Sequence, residues 1–489
     1  MDIYFSDYFS ISPEILNKYG AFDISLVSDL PLFVDPFLLF NSKNQTYQRL
    51  HAEIIKYMRF LKDVSVEEDI PEALLREWFT FPEIEENWLG FSDIGNKGHG
   101  LGPGFAHILR VNFRKVFRDF GEESITQSSH IEKLCLIKKG VGRDNLSDFT
   151  TNLIVNFLAE YTQKFALKHL KPRQRGSFQL RKVKFNYDTR SWETKLFELP
   201  SIEENKYILL TPKDILTKDE SWINRNDLIN KLPEIANALP NATLRAQVND
   251  YLAREIPKDR EAKKKEIREA IASTIEQFPE VLDYYILNKE ESGDEAISSA
   301  NAKVQQVQSI FIDHIRKFVS RHLDPGGFYK LPYETYEEAY KRVLFLKDTI
   351  ENKGGHKLFY FNGHPIEREK DLQIMYRLTW FATPSDVTRE ANDGRGPADF
   401  KISRGAKDKT IVEFKLAKNT QLERNLQKQC EVYEAASDTT NPSIKVILYF
   451  DDAQYSRVQE ILKKLGLEGD RNVILIDACD DNKPSGSRA

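Results

Sequence analysis

DVTREANDGRGPADFKISRGAKDKTIVEFKLA, residues Asp386 to Ala417, decides how the C-terminal part of this chain is read. Asp399 opens a short strand, Ala398 to Ser403. A Gly-containing reversal follows, Arg404 to Lys409, and a second strand runs from Thr410 to Ala417. Side chains alternate along a strand, so Glu413 and Lys415 project from one face while Val412, Phe414 and Leu416 fill the other. A Glu and a Lys thus stand inside a strongly β-forming run, where burial normally excludes charge.

The placement has a chemical use. The reversal brings Asp399 and Glu413 side by side, and two carboxylates suit Mg²⁺, which keeps several waters and takes a phosphate oxygen as well. Lys415 beside them is placed to activate a water or to steady charge building on phosphorus. On an amphipathic strand the same Glu-x-Lys also arises as a solvated face carrying a cross-strand ion pair.

The flanks read as helix from Pro365 to Phe381, strand from Asp386 to Ala391 and turn from Asn392 to Gly396. After the hairpin come a helix from Thr420 to Ser437, a buried strand from Ile444 to Phe450, a helix from Ala453 to Leu465 and a last strand from Asn472 to Ala478. Leu422, Leu426, Gln429 and Tyr433 share one stripe of the second helix, and Glu369, Leu372, Tyr376 and Trp380 lie near one face of the first.

With Asp399 on one strand and Glu413-Phe414-Lys415 on the next, this quarter of the chain resembles the PD-(D/E)XK nuclease superfamily. It departs from the motif in one place: Ala398 separates Pro397 from Asp399. Helix, three strands, helix, strand is the core order known for that superfamily, and Gln429-x-x-x-Tyr433 resembles the Gln-x-x-x-Tyr element of its RecB-like members. The resemblance implies an α/β restriction-endonuclease-like αβββαβ core that hydrolyses nucleic-acid phosphodiester bonds with Mg²⁺, Mn²⁺ substituting. DNA is favoured over RNA, because most of the relatives cut DNA. It also implies roles. Asp399, Glu413 and the main-chain carbonyl of Phe414 hold the metal, Lys415 orients or deprotonates water, and Gln429 and Tyr433 position the substrate strand. Glu369 takes the part of an extra metal contact from the first helix, with Glu367 and Glu390 as competitors and a helix-dipole role as the plain alternative.

At 489 residues the chain is long enough for two or three domains, each with its own core. We divide it into a mixed recognition or regulatory region at 1–250, a helical connection at 251–355, the nuclease-like domain at 356–482 and a disordered tail at 483–489. A composition 40% hydrophobic and 30% charged is ordinary for a soluble globular protein. A net charge of −5 excludes a surface coated in basic residues, so a nucleic-acid substrate has to be gripped by a local patch. Cys135, Cys430 and Cys479 are far apart and form no zinc-type cluster, which points to a reducing compartment. With no apolar core near Met1 and no run of membrane-spanning length, the expected location is the cytoplasm, with no membrane partner.

The patch expected to grip nucleic acid is Lys168 to Lys184, with Lys171, Arg173, Arg175, Lys182 and Lys184 as its cations. Val183, Phe185 and Tyr187 alternate there with Lys182, Lys184 and Asn186. A strand would show one cationic face, with Phe178 and Tyr187 available for stacking; a solvated hairpin reads equally well. Gly95 to Gly104 lacks the Gly-Lys-Ser/Thr ending of a P-loop, which favours a surface loop over a phosphate cradle. Ser147 or Asp148 reads as the N-cap of a helix from Thr150 to Ala166, with an Asp144/Asp148 ligand site as the alternative. Asn288 to Ser299 reads as a polar linker, and Thr335 with Glu338 as a capping box. A homo-oligomer or a partner protein fits this organisation. So do two rival functions: a scaffold whose nuclease-like domain no longer cuts, and an effector whose N-terminal region senses a nucleotide.

Overall fold

A computed structural model describes residues 3–67, 70–90, 120–137, 143–203, 206–218, 220–256, 263–323, 325, 334–380, 386–392, 397–404, 408–427 and 441–483. The fold is mixed helix and sheet. In the N-terminal part, α1 (Gln45–Ser65) and α2 (Glu72–Phe79) pack with α3 (Arg143–Leu153), α4 (Val155–His169) and a long hairpin, β1 (Arg175–Asn186) and β2 (Ser191–Glu203). The cap expected at Ser147 or Asp148 is not one, because α3 already begins at Arg143. The Ser147 hydroxyl lies inside the helix and accepts the Val34 N–H at 2.9 Å, satisfying a buried donor from another segment.

Four helices follow with an apolar cluster of their own: α5 (Arg225–Ala238), α6 (Ala242–Glu255), α7 (Lys264–Gln277) and α8 (Val281–Glu291). The linker expected at Asn288–Ser299 is helix instead, the end of α8 and the start of α9 (Gly293–Gln308). Two of its charged residues, Lys289 and Glu290, are buried and paired. The Lys289 ammonium lies 2.9 Å from Asp227, and the Glu290 carboxylate accepts the Gln127 and Ser128 N–H groups and pairs with His130 at 2.9 Å. From α9 the helical run continues to Leu323 through two π-helical stretches, Ser309–His314 and Val319–Leu323.

His130 is fully buried, with Glu290 on one ring nitrogen, Glu132 3.7 Å from the other, and the His51 ring beside it. Burial works against the imidazolium, but Glu132 and Glu290 outweigh it and push His130 up to about 9. Burial and the His130 charge push His51 down to about 3, and burial and Glu132 push the nearby Asp35 up to about 7. The unfolded chain releases the His130 proton near 6.5 and the folded chain only near 9. The stability this histidine contributes is therefore complete below 6.5 and lost as pH rises towards 9. Urea midpoints of wild type should fall across that window, and those of His130→Gln should fall less; parallel curves would remove the charged pairing.

Helix α10 (Thr335–Asn352), expected as a connector, lies on the sheet: the Tyr336 hydroxyl donates to Asn472 at 2.6 Å and the Lys347 ammonium to the Leu475 carbonyl at 2.6 Å. Its first turn is no capping box. The Thr335 hydroxyl bonds Asp408 and Thr410, and Glu338 pairs with Arg342 and Arg404. Helix α11 (Glu369–Thr379) begins four residues later than the apolar pattern implies. Asn362 and Gly363, both with positive φ, turn a short hairpin that pairs Tyr360–Phe361 with His364–Pro365.

The sheet contains β3 (Asp386–Asn392), β4 (Pro397–Arg404), β5 (Asp408–Leu416), β6 (Ile444–Tyr449) and β7 (Val473–Asp477) in the order β7-β6-β5-β4-β3. β3, β4 and β5 are antiparallel neighbours; β5, β6 and β7 run parallel. Phe400, Ile402, Val412, Phe414 and Leu416 join the large core shared with α9, α10 and α11. Ile447 packs instead with Leu422, Leu426 and helix α12 (Asp452–Leu465) on the other side. Residues 422–427 are helical. Among the described residues no helix is long and apolar enough to cross a membrane.

Candidate active site

The site forms where β4 and β5 stop pairing. Their register runs from Asp408–Arg404 to Val412–Phe400, and beyond it the next donors on the β5 edge, Phe414 N–H and Leu416 N–H, meet side chains. Phe414 N–H donates to Asp399 Oδ2 at 2.7 Å, and Leu416 N–H to Glu369 Oε1 at 3.2 Å. In return the Asp399 N–H donates to Glu413 Oε1 at 3.2 Å. Two strands that separate leave polar backbone groups needing partners, and here carboxylates supply them.

Asp399, Glu413 and Lys415 take the positions that alternate with the apolar residues of their strands, as expected. The Lys415 ammonium bridges the two acids, 3.2 Å from Asp399 Oδ2 and 3.0 Å from Glu413 Oε2. All three are at least nine-tenths buried. Burial, then the charge of Glu413, raises the Asp399 pKa, with Lys415 and the Phe414 N–H opposing. Burial disfavours the Lys415 ammonium, but Asp399, Glu413 and Glu369 overcome it and hold its pKa above the usual lysine value. A solvated strand-face ion pair is excluded by this burial.

Gln373, a residue no sequence pattern singled out, belongs to the same cluster. It sits one turn along α11 from Glu369, is buried, and donates from Nε2 to Asp399 Oδ1 at 2.6 Å. Glu369 caps the strand edge: its Oε1 also accepts Asn419 Nδ2 at 2.6 Å. Its charge still reaches Lys415. Glu367 is exposed. The Glu390 side chain, Gln429, Tyr433 and the Gly95–Gly104 loop lie outside the described residues.

The donor set fits a hard divalent cation in part. Two carboxylates are adjacent, and the Phe414 C=O leaves β5 on the same edge as its N–H, toward Asp399. The bridging ammonium shows that the pair favours positive charge. Among the described residues no three His, Cys, Asp or Glu side chains are grouped to hold a metal, so waters would complete the shell.

The basic hairpin differs from the expected cationic face. A register shift between Leu180 and Lys184 places Lys182 at φ 56°, and its ammonium reaches the carbonyls of Glu77 and Thr80 at 2.7 and 3.4 Å. Lys182 is a tie between β1 and the end of α2. Arg175 pairs with Glu198 at 3.2 Å, Phe178 packs on Tyr207, and Tyr187 packs on Phe185 under the Lys56 ammonium. Lys171, Arg173 and Lys184 are exposed. Asp144 and Asp148 lie together near Glu83, and burial with those two charges pushes Asp148 up to about 8.

Residues 10–224 match a family model described as "Domain of unknown function (DUF8370)", and residues 335–452 match one described as "Domain of unknown function (DUF8371)". The second match begins at the first residue of α10 and contains Glu369, Gln373, Asp399, Glu413 and Lys415. No curated protein and no solved structure matches the chain.

Proposed function

We propose that the C-terminal unit is a metal-dependent nuclease of the PD-(D/E)XK type, acting in the cytoplasm on nucleic acid, with DNA favoured. The observation that carries this reading is the buried Asp399–Glu413–Lys415 cluster in the gap between β4 and β5. What sets this cluster apart is its make-up: two carboxylates and a lysine on one open strand edge, the donor set that a hard cation and a phosphoryl group call for.

Asp399, Glu413 and the Phe414 carbonyl would hold the cation. When bound there, a divalent cation supplies charge neutralisation at phosphorus and a water acidified for attack. Lys415, relieved of the two carboxylates, turns its ammonium to the attacking water and to the developing charge on phosphorus. Exposed Lys171, Arg173 and Lys184 supply sequence-independent attraction to phosphates. A large N-terminal region joined to such a nuclease looks like restriction or antiviral defence enzymes, an analogy at the level of fold.

The test is to incubate the purified protein with supercoiled plasmid, linear duplex, single-stranded DNA and RNA, each with Mg²⁺, Mn²⁺ or EDTA. Cleavage with metal and none with EDTA is expected, and the substrate cut defines the class. Intact substrates throughout, with nucleic acid still bound, would favour a scaffold that no longer cuts.

A further inference from the structure

Gln373 is an odd residue to bury. A carboxylate oxygen only accepts, so the amide nitrogen must face Asp399 Oδ1, and the amide oxygen lies at the other end of the group. That oxygen is buried and has no hydrogen-bond partner among the described residues. An amide buried with one end unsatisfied costs stability, and a methionine or leucine would fill the same space without that cost. The residue is also not the acid that the first helix was expected to present. A glutamate here would set a third negative charge against Asp399 and Glu413, whereas the neutral amide donates to Asp399 and favours its ionised form.

We infer that Gln373 is the positioning residue of the metal site: its Nε2 fixes the Asp399 carboxylate, and its Oε1 is the acceptor for a water in the shell of a cation held by Asp399 and Glu413. The inference rests on the nuclease reading. The Asp399 carboxylate is then held from both sides, by Gln373 on Oδ1 and by Phe414 N–H and Lys415 on Oδ2. With a cation in place of the Lys415 ammonium between the two acids, Gln373 and the Phe414 N–H would still hold Asp399. An amide at this point also leaves the site with two acids rather than three, which suits a cation that keeps most of its waters.

The test is direct binding of Mn²⁺ to the full-length protein, followed by calorimetry, for wild type, Gln373→Met, Gln373→Glu and Asp399→Asn, with cleavage kinetics alongside. Gln373→Met should weaken Mn²⁺ binding by about 10- to 100-fold, as loss of an outer-shell partner does, and lower kcat more than it raises KM. Gln373→Glu, nearly the same shape, should bind Mn²⁺ at least as tightly as wild type yet not restore kcat, because the donor to Asp399 is gone. If Gln373→Met is misfolded by its melting curve, the Gln373→Glu split between binding and kcat decides. Wild-type Mn²⁺ affinity and kcat in Gln373→Met, or wild-type kcat in Gln373→Glu, would reduce the residue to a space filler while leaving the nuclease reading intact. Absence of both Mn²⁺ binding and cleavage in wild type would remove the two together.

Discussion

Asp399→Asn and Lys415→Met should each lower metal-dependent cleavage by about a hundred- to a thousandfold while leaving the protein folded. Asp399 is the residue on which the site converges, with Gln373, Phe414 N–H, Lys415 and, through its own N–H, Glu413 as partners. The asparagine keeps the shape and loses the charge that a cation needs, so the loss belongs to chemistry rather than to packing. Lys415→Met keeps the length of the side chain and removes the charge that would meet the developing charge on phosphorus; groups of that kind are worth about 10²–10³ in kcat. Binding of nucleic acid by the exposed cations of the N-terminal part should stay within a few fold of wild type. Cleavage within about tenfold of wild type in either variant would place the chemistry elsewhere.

Glu338→Ala should cost about 3–5 kcal/mol of stability. Glu338 is 1% exposed and accepts Arg342 at 2.9 Å through one oxygen and Arg404 at 2.7 Å through the other, which ties α10 to β4. Arg342 is as deeply buried and lies over the Trp380 ring. Removing the acid leaves two guanidiniums without their shared counter-charge, one of them in the core. The double variant Glu338→Leu/Arg342→Leu should recover part of the loss, since an apolar replacement of a buried pair is tolerated better than half of it. Urea unfolding measures both. A single variant within about 1 kcal/mol of wild type would show that water reaches the pair.

These two sites mark what the sequence does and does not reveal. The strands of the sheet were legible in two ways: Thr410–Ala417 alternates, whereas Ile444–Phe450 and Asn472–Ala478 are short apolar runs rich in β-branched residues, and Glu413 and Lys415 stood out because they break an otherwise apolar run. Asp399 was legible only through its partner motif. Gln373 was not, because a glutamine on an amphipathic helix reads as part of its solvated face; only the separation of β4 from β5 brings Asp399 within its reach. At the same separation Glu369, the expected extra metal contact, accepts the Leu416 N–H, and its charge reaches Lys415. Lys289, Glu290, Thr335 and Glu338 were read as loop or cap residues because local spacing carries no information about distant partners, and each proved to be paired across the fold. Lys182 was misplaced for a related reason: between Leu180 and Lys184 its strand gains two residues on its partner, and Lys182 sits at φ 56° inside that irregularity.

The most direct measurement is the anomalous scattering of manganese in crystals grown with Mn²⁺. The account predicts a single strong peak between Asp399 and Glu413, near the Phe414 carbonyl, with the Lys415 ammonium withdrawn from both acids. Crystals saturated with Mn²⁺ that show no peak there, and Lys415 still bridging the two carboxylates, would contradict it.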